Sequence, residues 1–402
     1  MVHFYGKVVE LRKFKWGGFA LLETFKGDPS KVQCVMTTEQ MDGLKVGSWA
    51  SVDGESKLAN IKDDSVSDLE VKVELMEVLS SPSVDPPISI NEPDPTFTLD
   101  SAFTHRGLSL QTEKYRRIFA AQDIIENTFR NHFGRLSFKS IHTPKITSGG
   151  AEGGADTFSL DYFGRPAYLA QSPQLYKQIC CAAFGKVFEI GPVFRAEKHN
   201  TSRHLNEYIS LDVETVCDPK ESAPIEHIMD IEQGFLRLLS QEFNHMSVNQ
   251  RISMRVSEAK QLLGTSGDDL SSSEEVEISK WAKEEKGSDV IFLTHYHRDV
   301  RPFYTKLSDD GKHTESFDCI FMGVEITSGG QRENDHQNYL DAMQLKGMST
   351  DGFEFYLENF KYGFPVHGGF AIGLERLTAK LCDLPNVKMA SLFPRDSTRL
   401  TP

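Results

Sequence analysis

Five of the 17 prolines fall between residues 80 and 95, and this cluster divides the sequence into two unequal parts. Proline fixes φ and removes a backbone donor, so a segment this rich in proline does not form a central strand or the interior of a helix. We therefore predict an extended linker over residues 80–112, with a domain boundary near residue 80.

The shorter part, residues 1–79, shows the period of β-strands. Val71, Val73 and Leu75 alternate with charged residues, as in a half-buried strand. Asp53-Gly54 is a dipeptide that favours a tight hairpin turn. About five short strands in this length are typical of a small closed barrel, so we predict an OB-fold.

The longer part combines helical and strand patterns. Ile118, Ile125, Phe129 and Phe133 lie on one face of a 3.6-residue period, which predicts an amphipathic helix that ends at Gly134. Strand-like segments follow without regular βαβ alternation, so we predict an α+β fold with an antiparallel sheet flanked by helices. The sequence has no G-x-x-x-x-G-K-[ST] loop, so a nucleotide would have to bind by another route.

Composition limits the classes of function. The net charge of −14 argues against a generic polyanion binder, so any contact with nucleic acid must come from local basic patches. The six cysteines form no C-x-x-C pair, and no apolar stretch is long enough for a membrane helix. The N-terminus has no apolar signal segment, so we expect a cytoplasmic protein with free thiols.

Two short segments carry residues suited to nucleotide chemistry. Arg195 and Glu197 are two apart on a predicted strand, so their side chains point to the same face. Arginine can grip a phosphate bidentately, glutamate can accept from the amine of a base, and Tyr208 can stack on that base. Further along, Gly368–Leu377 combines small residues, which let a ligand approach the sheet, with Arg376, which can reach a phosphate.

Together these segments resemble motifs 2 and 3 of the class II aminoacyl-tRNA synthetases, and the chain is most similar to the aspartyl-tRNA synthetase family. The resemblance implies an anticodon-binding OB domain at 1–79 and a class II catalytic domain at 113–402. Motif 1 would lie at about 118–146, motif 2 at about 187–216 and motif 3 at about 366–381. The further strings that carry the resemblance are Glu152-Gly153-Gly154-Ala155, Gln171-Ser172-Pro173-Gln174-Leu175-Tyr176-Lys177-Gln178, Leu211-Asp212-Val213-Glu214, Arg301-Pro302-Phe303-Tyr304-Thr305 and Phe393-Pro394-Arg395-Asp396.

The spacing of these strings favours one branch of the family. Only about 100 residues separate Asp212 from Asp318, too few for the large insertion domain of the bacterial-type enzymes. The archaeal and eukaryotic type fits better.

The resemblance also implies a reaction. In the family, an amino-acid carboxylate attacks the α-phosphate of ATP, and the aminoacyl group then passes to the 3′ end of a tRNA. Arg195 and Arg376 would be the catalytic residues, and Asp318 and Glu325 would hold Mg²⁺, a hard cation that prefers oxygen ligands. The residues that match the family's ATP site are Arg195, Glu197, His204, Tyr208, Glu325 and Arg376.

Substrate choice follows from charge. The family's cations for the side-chain carboxylate match Lys177 and Arg332, and its acceptors for the α-ammonium match Glu152, Gln174 and Asp212. Asparagine would leave the two buried cations uncompensated, and breaking a buried ion pair costs about 3–5 kcal/mol. The resemblance therefore predicts L-aspartate as the substrate and tRNA(Asp) as the partner.

A basic and aromatic cluster in the barrel is suited to a single-stranded RNA loop, because cations bind the backbone and aromatic rings stack on bases. The family also implies a homodimer that forms through motif 1. The residues predicted to contact tRNA are Lys13, Phe14, Lys15, Trp16 and Lys198.

Three alternatives remain open. An asparaginyl-tRNA synthetase shares the class and the barrel, and Glu333 after Arg332 is more typical of that enzyme. Lys177 and the string at 301–305 favour aspartate. The others are a synthetase paralogue that amidates aspartate without loading tRNA, and a catalytically silent RNA-binding protein.

Overall fold

The structure is a computed structural model and describes the chain except for residues 26–29, 60, 62–65, 92–95, 149–155 and 221. The chain divides into two compact units, Met1–Lys114 and Tyr115–Pro402. Among the helices described, none combines the length and the apolar character needed to cross a membrane.

The first unit contains a closed barrel in which the strands follow the order β1-β2-β3-β5-β4. Its interior is filled by alternating apolar side chains such as Val8, Leu22, Cys34 and Val71, so the predicted OB-type barrel is confirmed. The segment predicted as an extended linker contains two short helices, the first capped by Thr98. The elements are β1 (Val2–Phe14), β2 (Gly17–Thr24), β3 (Ser30–Met36), β4 (Trp49–Leu58), β5 (Val66–Ser80), α1 (Leu99–Thr104) and α2 (Arg106–Ser109).

The predicted hairpin turn at Asp53-Gly54 is wrong. Strand β4 runs through both residues, and its register with β5 shifts between them. A Cβ on Gly54 would lie 2.2 Å from the carbonyl oxygen of Lys72. Glycine therefore serves a close approach of two strands at a bulge, where the sequence pattern predicted a turn.

The second unit is built on an eight-stranded sheet of order β12-β13-β14-β15-β16-β11-β10-β6, and β7, β9 and β8 form a smaller sheet. The large sheet is antiparallel except at its two edges, where β12 pairs with β13 and β6 with β10 in parallel. This confirms the predicted α+β class. The strands are β6 (Lys139–Ser140), β7 (Ile146–Thr147), β8 (Ser159–Tyr162), β9 (Arg165–Leu169), β10 (Lys186–Phe194), β11 (Glu207–Val216), β12 (Ser253–Arg255), β13 (Val290–Thr294), β14 (Ser316–Phe321), β15 (Val324–Gln331) and β16 (His367–Gly373).

Helices cover the large sheet, and the main core lies between them. The predicted face of α3 is buried, with Ile125, Phe129 and Phe133 fully enclosed. The helix continues one residue past Gly134, where the sequence pattern placed its end. The helices are α3 (Glu113–Arg135), α4 (Gln174–Phe184), α5 (Pro224–Glu242), α6 (Val256–Leu263), α7 (Ser272–Lys286), α8 (His336–Leu345), α9 (Glu354–Phe360) and α10 (Leu374–Leu381), with short 3-10 turns at Arg298–Val300 and Val387–Ala390.

Candidate active site

One row of residues across the sheet forms the floor of the site. Asp318, Ser328, Ala371, Asp212 and Glu189 are consecutive register partners on five neighbouring strands. Register partners point to the same face of a sheet. The two small side chains in the middle leave room for a ligand, and an acidic residue stands at each side of them.

One face of strand β11 contributes residues to two parts of the site. Alternate residues Tyr208, Ser210, Asp212 and Glu214 share that face because side chains alternate along a strand. Tyr208 and Ser210 line a cavity of about 240 Å³. Asp212 and Glu214 lie further along the strand in a buried cluster of charges.

All six residues predicted for ATP line the 240 Å³ cavity: Arg195, Glu197, His204, Tyr208, Glu325 and Arg376. Small or apolar residues form part of the wall, and Arg203 adds another cation to it. The structure thus brings together residues from three separate sequence segments. An arginine-rich cavity of this kind suits a ligand with several phosphates.

Within the cavity, the guanidinium of Arg195 lies 5.9 Å from the ring centroid of Tyr208 and 3.7 Å from the Glu197 carboxylate. Arg376 donates to the main-chain carbonyl of Glu325 at 3.0 Å. Burial lowers the pKa of His204, and the nearby arginines add to this although Glu197 opposes it. His204 is therefore mostly neutral at pH 7 in the free protein.

The buried charges centre on Lys177, which is 1% exposed. Its ammonium donates to Asp212 Oδ1 at 3.0 Å and to the carbonyl oxygens of Val213 and Phe370 at 3.3 and 3.1 Å. It also lies 3.3 Å from Glu214 Oε2. An ammonium has three N–H groups, so a ligand would bind Lys177 by replacing one of these three acceptors.

Arg332, the residue that follows strand β15, completes this cluster. Its guanidinium donates to Glu214 Oε1 at 3.0 Å and to the carbonyl of Gly369 at 2.9 Å. Burial alone would raise the pKa of Glu214, but Arg332 and Lys177 outweigh it and lower that pKa below its ordinary value. The cluster therefore holds two cations and two carboxylates. The expectation that asparagine would leave both cations uncompensated is wrong, because Asp212 and Glu214 already compensate them within the protein.

The residues predicted for the α-ammonium have different outcomes. Glu152 lies outside the described residues. Gln174 is buried, and among the described atoms its side-chain Nε2 has no hydrogen-bond partner. Asp212 gives one oxygen to Lys177, while its Oδ2 is buried with no partner in the described part of the chain.

Sequence reasoning missed Glu214, although the string that contains it was recognised. Its position two residues after Asp212 on a predicted strand is a signal that both carboxylates face the same side. Arg301 was missed in the same way, and it donates to Asp318 Oδ2 at 2.6 Å while lying over the Tyr296 ring at 3.6 Å.

Of the two acidic residues predicted for Mg²⁺, Glu325 lines the cavity, and Asp318 lies close enough to act on its charge. The Oδ1 atom of Asp318 is buried and has no hydrogen-bond partner among the described residues. About 38% of the Glu325 side chain reaches solvent, yet desolvation in the recess and the charge of Asp318 raise its pKa to about 7. Two carboxylates that repel each other in this way are suited to sharing a cation.

Glu333, the residue that pointed to asparagine, makes its contacts with residues outside the Lys177–Arg332 cluster. Its carboxylate lies 3.1 Å from Lys306 and accepts from the backbone N–H groups of Asn334 and Asp335. It lines a second cavity, next to helix α8. Its role in the fold is therefore to hold the loop that follows Arg332.

On the barrel, the rings of Phe14 and Trp16 are stacked at 5.7 Å with planes 2° apart. Both are about half exposed, and Lys13 and Lys15 beside them are exposed too. Lys198 is exposed in the loop between β10 and β11. The described geometry leaves these five residues open to a partner.

The antiparallel sheet, the arginine-lined cavity and the paired carboxylates define a class II aminoacyl-tRNA synthetase. The family described as tRNA synthetases class II (D, K and N) matches residues 98–397. The aspartate–tRNA(Asp/Asn) ligase of Thermus thermophilus is 44% identical over 354 residues, which are 83% of this chain and 82% of that protein. The ligase of the same description from Aeropyrum pernix is 37% identical over 90% of this chain and 85% of its own length. The chain belongs to the aspartate–tRNA ligase family of class II synthetases.

Solved structures agree with this fold over the whole chain. Asparaginyl-tRNA synthetase from Pyrococcus horikoshii, in complex with asparaginyl-adenylate, has a TM-score of 0.87 at 26% identity, covering 100% of this chain and 96% of that one. Aspartyl-tRNA synthetase from Entamoeba histolytica has a TM-score of 0.84 at 26% identity, covering 100% and 90%. The fold is thus common to both specificities.

Proposed function

We propose that the protein is an aspartate–tRNA ligase. It activates L-aspartate with ATP to aspartyl-adenylate and pyrophosphate, and it transfers the aspartyl group to the 3′ end of tRNA(Asp). The observation that carries this proposal is the buried Lys177–Arg332 cluster, on the same face of the sheet as the arginine-lined cavity.

Charge balance supports aspartate over asparagine. The cluster is neutral in itself, with Lys177 and Arg332 against Asp212 and Glu214. The α-ammonium of aspartate, held at the free oxygen of Asp212, and its side-chain carboxylate, held at Lys177, add one charge of each sign. Asparagine would bring only the ammonium and leave a buried excess positive charge, which is costly.

The adenylation step needs no general base, because a carboxyl group of pKa about 3–4 is already ionised at neutral pH. Catalysis is then a matter of positioning the reactants and neutralising phosphate charge. Arg195 would hold the α-phosphate and the substrate carboxylate, and Tyr208 would stack on the adenine while Glu197 accepts from its amine. Arg376 and His204 would hold the γ-phosphate.

The residues fit a magnesium ion. Asp318 and Glu325 would hold it, since Asp318 Oδ1 is buried and unpartnered in the described chain and the two carboxylates repel each other. When bound, the ion would neutralise charge on the phosphates of ATP. No group of three or more His, Cys, Asp or Glu side chains among the described residues could hold a metal, so phosphates and water would complete the ligands.

We also propose how the tRNA binds. The stacked and exposed Phe14 and Trp16, with the lysines beside them, would bind unpaired anticodon bases, and Lys198 would contact the acceptor end. Two copies would associate through motif 1, and the protein would act in the cytoplasm.

Pyrophosphate exchange into ATP tests the function, with aspartate and asparagine compared without and with tRNA. We expect exchange with aspartate and, with tRNA(Asp), formation of aspartyl-tRNA. Asparaginyl-tRNA synthesis is the second candidate, because the P. horikoshii asparaginyl enzyme has so similar a fold; exchange with asparagine alone would establish it. Exchange with neither would favour an RNA-binding protein, and exchange with aspartate but no loading would favour an amidating paralogue.

A further inference from the structure

We propose that Glu275, on helix α7, is a positioning residue for the nucleotide and metal site. One oxygen of its carboxylate holds both the backbone of Glu325 and the side chain of Arg203. This inference rests on the proposed function, because the site it supports is the proposed site for ATP and Mg²⁺. Along the sequence, helix α7 comes between motifs 2 and 3, and nothing in the sequence pattern marks it as functional.

The hairpin of β14 and β15 contains a β-bulge next to Glu325. Cys319 pairs with Thr327, but the next pair is Ile320 with Glu325, so Ile326 is the extra residue. In a regular ladder Glu325 would face the same side as Phe321, which is buried in the core. The bulge turns Glu325 to the face that carries Asp318, as bulges beside active sites often do.

Helix α7 holds this hairpin with two side chains one helical turn apart. The N–H of Glu325 donates to Glu275 Oε2 at 3.2 Å, and the N–H of Gly323 donates to Ser279 Oγ at 2.9 Å. Residues i and i+4 of a helix lie on one face, so both can reach the same turn. A bulge takes backbone groups out of the ladder, and buried N–H groups need a partner. The Glu275 carboxylate is this partner for the N–H of Glu325.

Glu275 Oε2 also accepts from a residue that lines the proposed nucleotide cavity. Arg203 Nη2 donates to Glu275 Oε2 at 2.6 Å, and Arg203 lines the 240 Å³ cavity beside His204. Hydrogen bonds between ionised partners are short and strong. Glu275 is only 9% exposed, so water competes little for this contact. One carboxylate therefore ties the loop of motif 2 to the strand that bears the proposed metal ligand.

The test uses Glu275→Gln and Glu275→Ala in the full-length chain. Glutamine can still accept from the Glu325 N–H but loses the charge that holds Arg203. In aspartate-dependent pyrophosphate exchange, we expect Glu275→Ala to raise the half-saturating concentrations of ATP and Mg²⁺ about tenfold, with Glu275→Gln between it and the wild type. The KM for aspartate should stay within about twofold in both, because that pocket is built from other residues.

Two variants on the same helix are controls. Glu277→Gln changes an exposed carboxylate two residues away and should match the wild type. Ser279→Ala loses the bond to Gly323 but not the one to Arg203, so its effect on ATP should be smaller than that of Glu275→Ala. The double variant Glu275→Ala with Arg203→Ala should raise the half-saturating concentration of ATP by less than the two single effects combined, because both substitutions remove the same contact.

Unchanged ATP and Mg²⁺ dependence in Glu275→Ala would overturn the inference. So would equal losses for ATP and aspartate with a lowered Tm, which would indicate a purely structural role. If Glu275→Ala does not fold, Glu275→Gln alone decides between these results. A wild-type protein without aspartate-dependent exchange would instead refute the proposed function, so the two failures are distinct.

Discussion

Replacing Lys177 by methionine tests the basis of substrate choice. Lys177 is 1% exposed, and its ammonium lies 3.0 and 3.3 Å from two carboxylates. Methionine keeps much of the volume but leaves Arg332 as the one cation against Asp212 and Glu214 within the described cluster. Breaking a buried ion pair costs about 3–5 kcal/mol, because the remaining charge is left uncompensated.

We expect a loss of aspartate recognition of the same size, because the side-chain carboxylate of bound aspartate would also be buried without its cation. At about 1.4 kcal/mol per factor of ten, kcat/KM for aspartate should fall by at least about 100-fold in pyrophosphate exchange. The KM for ATP should change less than about threefold, because Lys177 does not line the nucleotide cavity. The exposed lysine Lys280 offers a control, and Lys280→Ala should behave as the wild type.

A double variant separates folding from recognition. Lys177→Met with Asp212→Asn leaves Arg332 against Glu214, so charge balance returns. We expect its Tm to recover most of the value lost in Lys177→Met, while aspartate use stays low because both the cation and the proposed acceptor for the α-ammonium are missing. Aspartate kcat/KM within about threefold of the wild type in Lys177→Met would show that Lys177 does not select the substrate, as would equal losses for ATP and aspartate.

Three further substitutions test the phosphate site, the barrel and a buried carboxyl group. Arg376→Ala should raise the KM for ATP about tenfold or more and leave aspartate unaffected in steady-state exchange, and an unchanged KM for ATP would remove Arg376 from the phosphate site. Trp16→Ala should raise the KM for tRNA about fivefold to 150-fold, since stacking on a base is worth about 1–3 kcal/mol, without changing exchange in the absence of tRNA. An unchanged KM for tRNA in aminoacylation would argue against base stacking on the barrel. Burial raises the pKa of Glu232 from 4.5 to about 8, so the folded state binds the extra proton and stability falls as pH rises through that range. Glu232→Gln should remove this part of the pH dependence of Tm, and a wild-type slope would contradict it.

Much of the fold follows from local patterns in the sequence. The face of Ile125, Phe129 and Phe133 is buried as its helical period predicts, and the barrel follows from strands that alternate apolar and charged residues. The six residues of the ATP site could be named because their strings resemble a family whose site is assembled from separate segments. Spacing along the chain alone does not predict that Arg195 and Arg376 line one cavity.

What the sequence pattern could not predict depends on contacts across strands. Asp53-Gly54 has the composition of a turn, but β4 passes through it because Gly54 permits a close strand approach. The bulge that turns Glu325 toward Asp318 depends on one extra residue in a ladder, and a regular alternation would place that side chain on the wrong face. The pairing of Arg301 with Asp318 joins segments that only the folded sheet brings together.

We propose that the buried Lys177–Arg332 cluster selects aspartate. The most direct test is mass spectrometry of the adenylate formed by the protein, ATP and Mg²⁺ in an equimolar mixture of aspartate and asparagine. We expect aspartyl-adenylate in large excess, and Lys177→Met should reduce this product specifically. Asparaginyl-adenylate as the main product of the wild type would contradict this proposal.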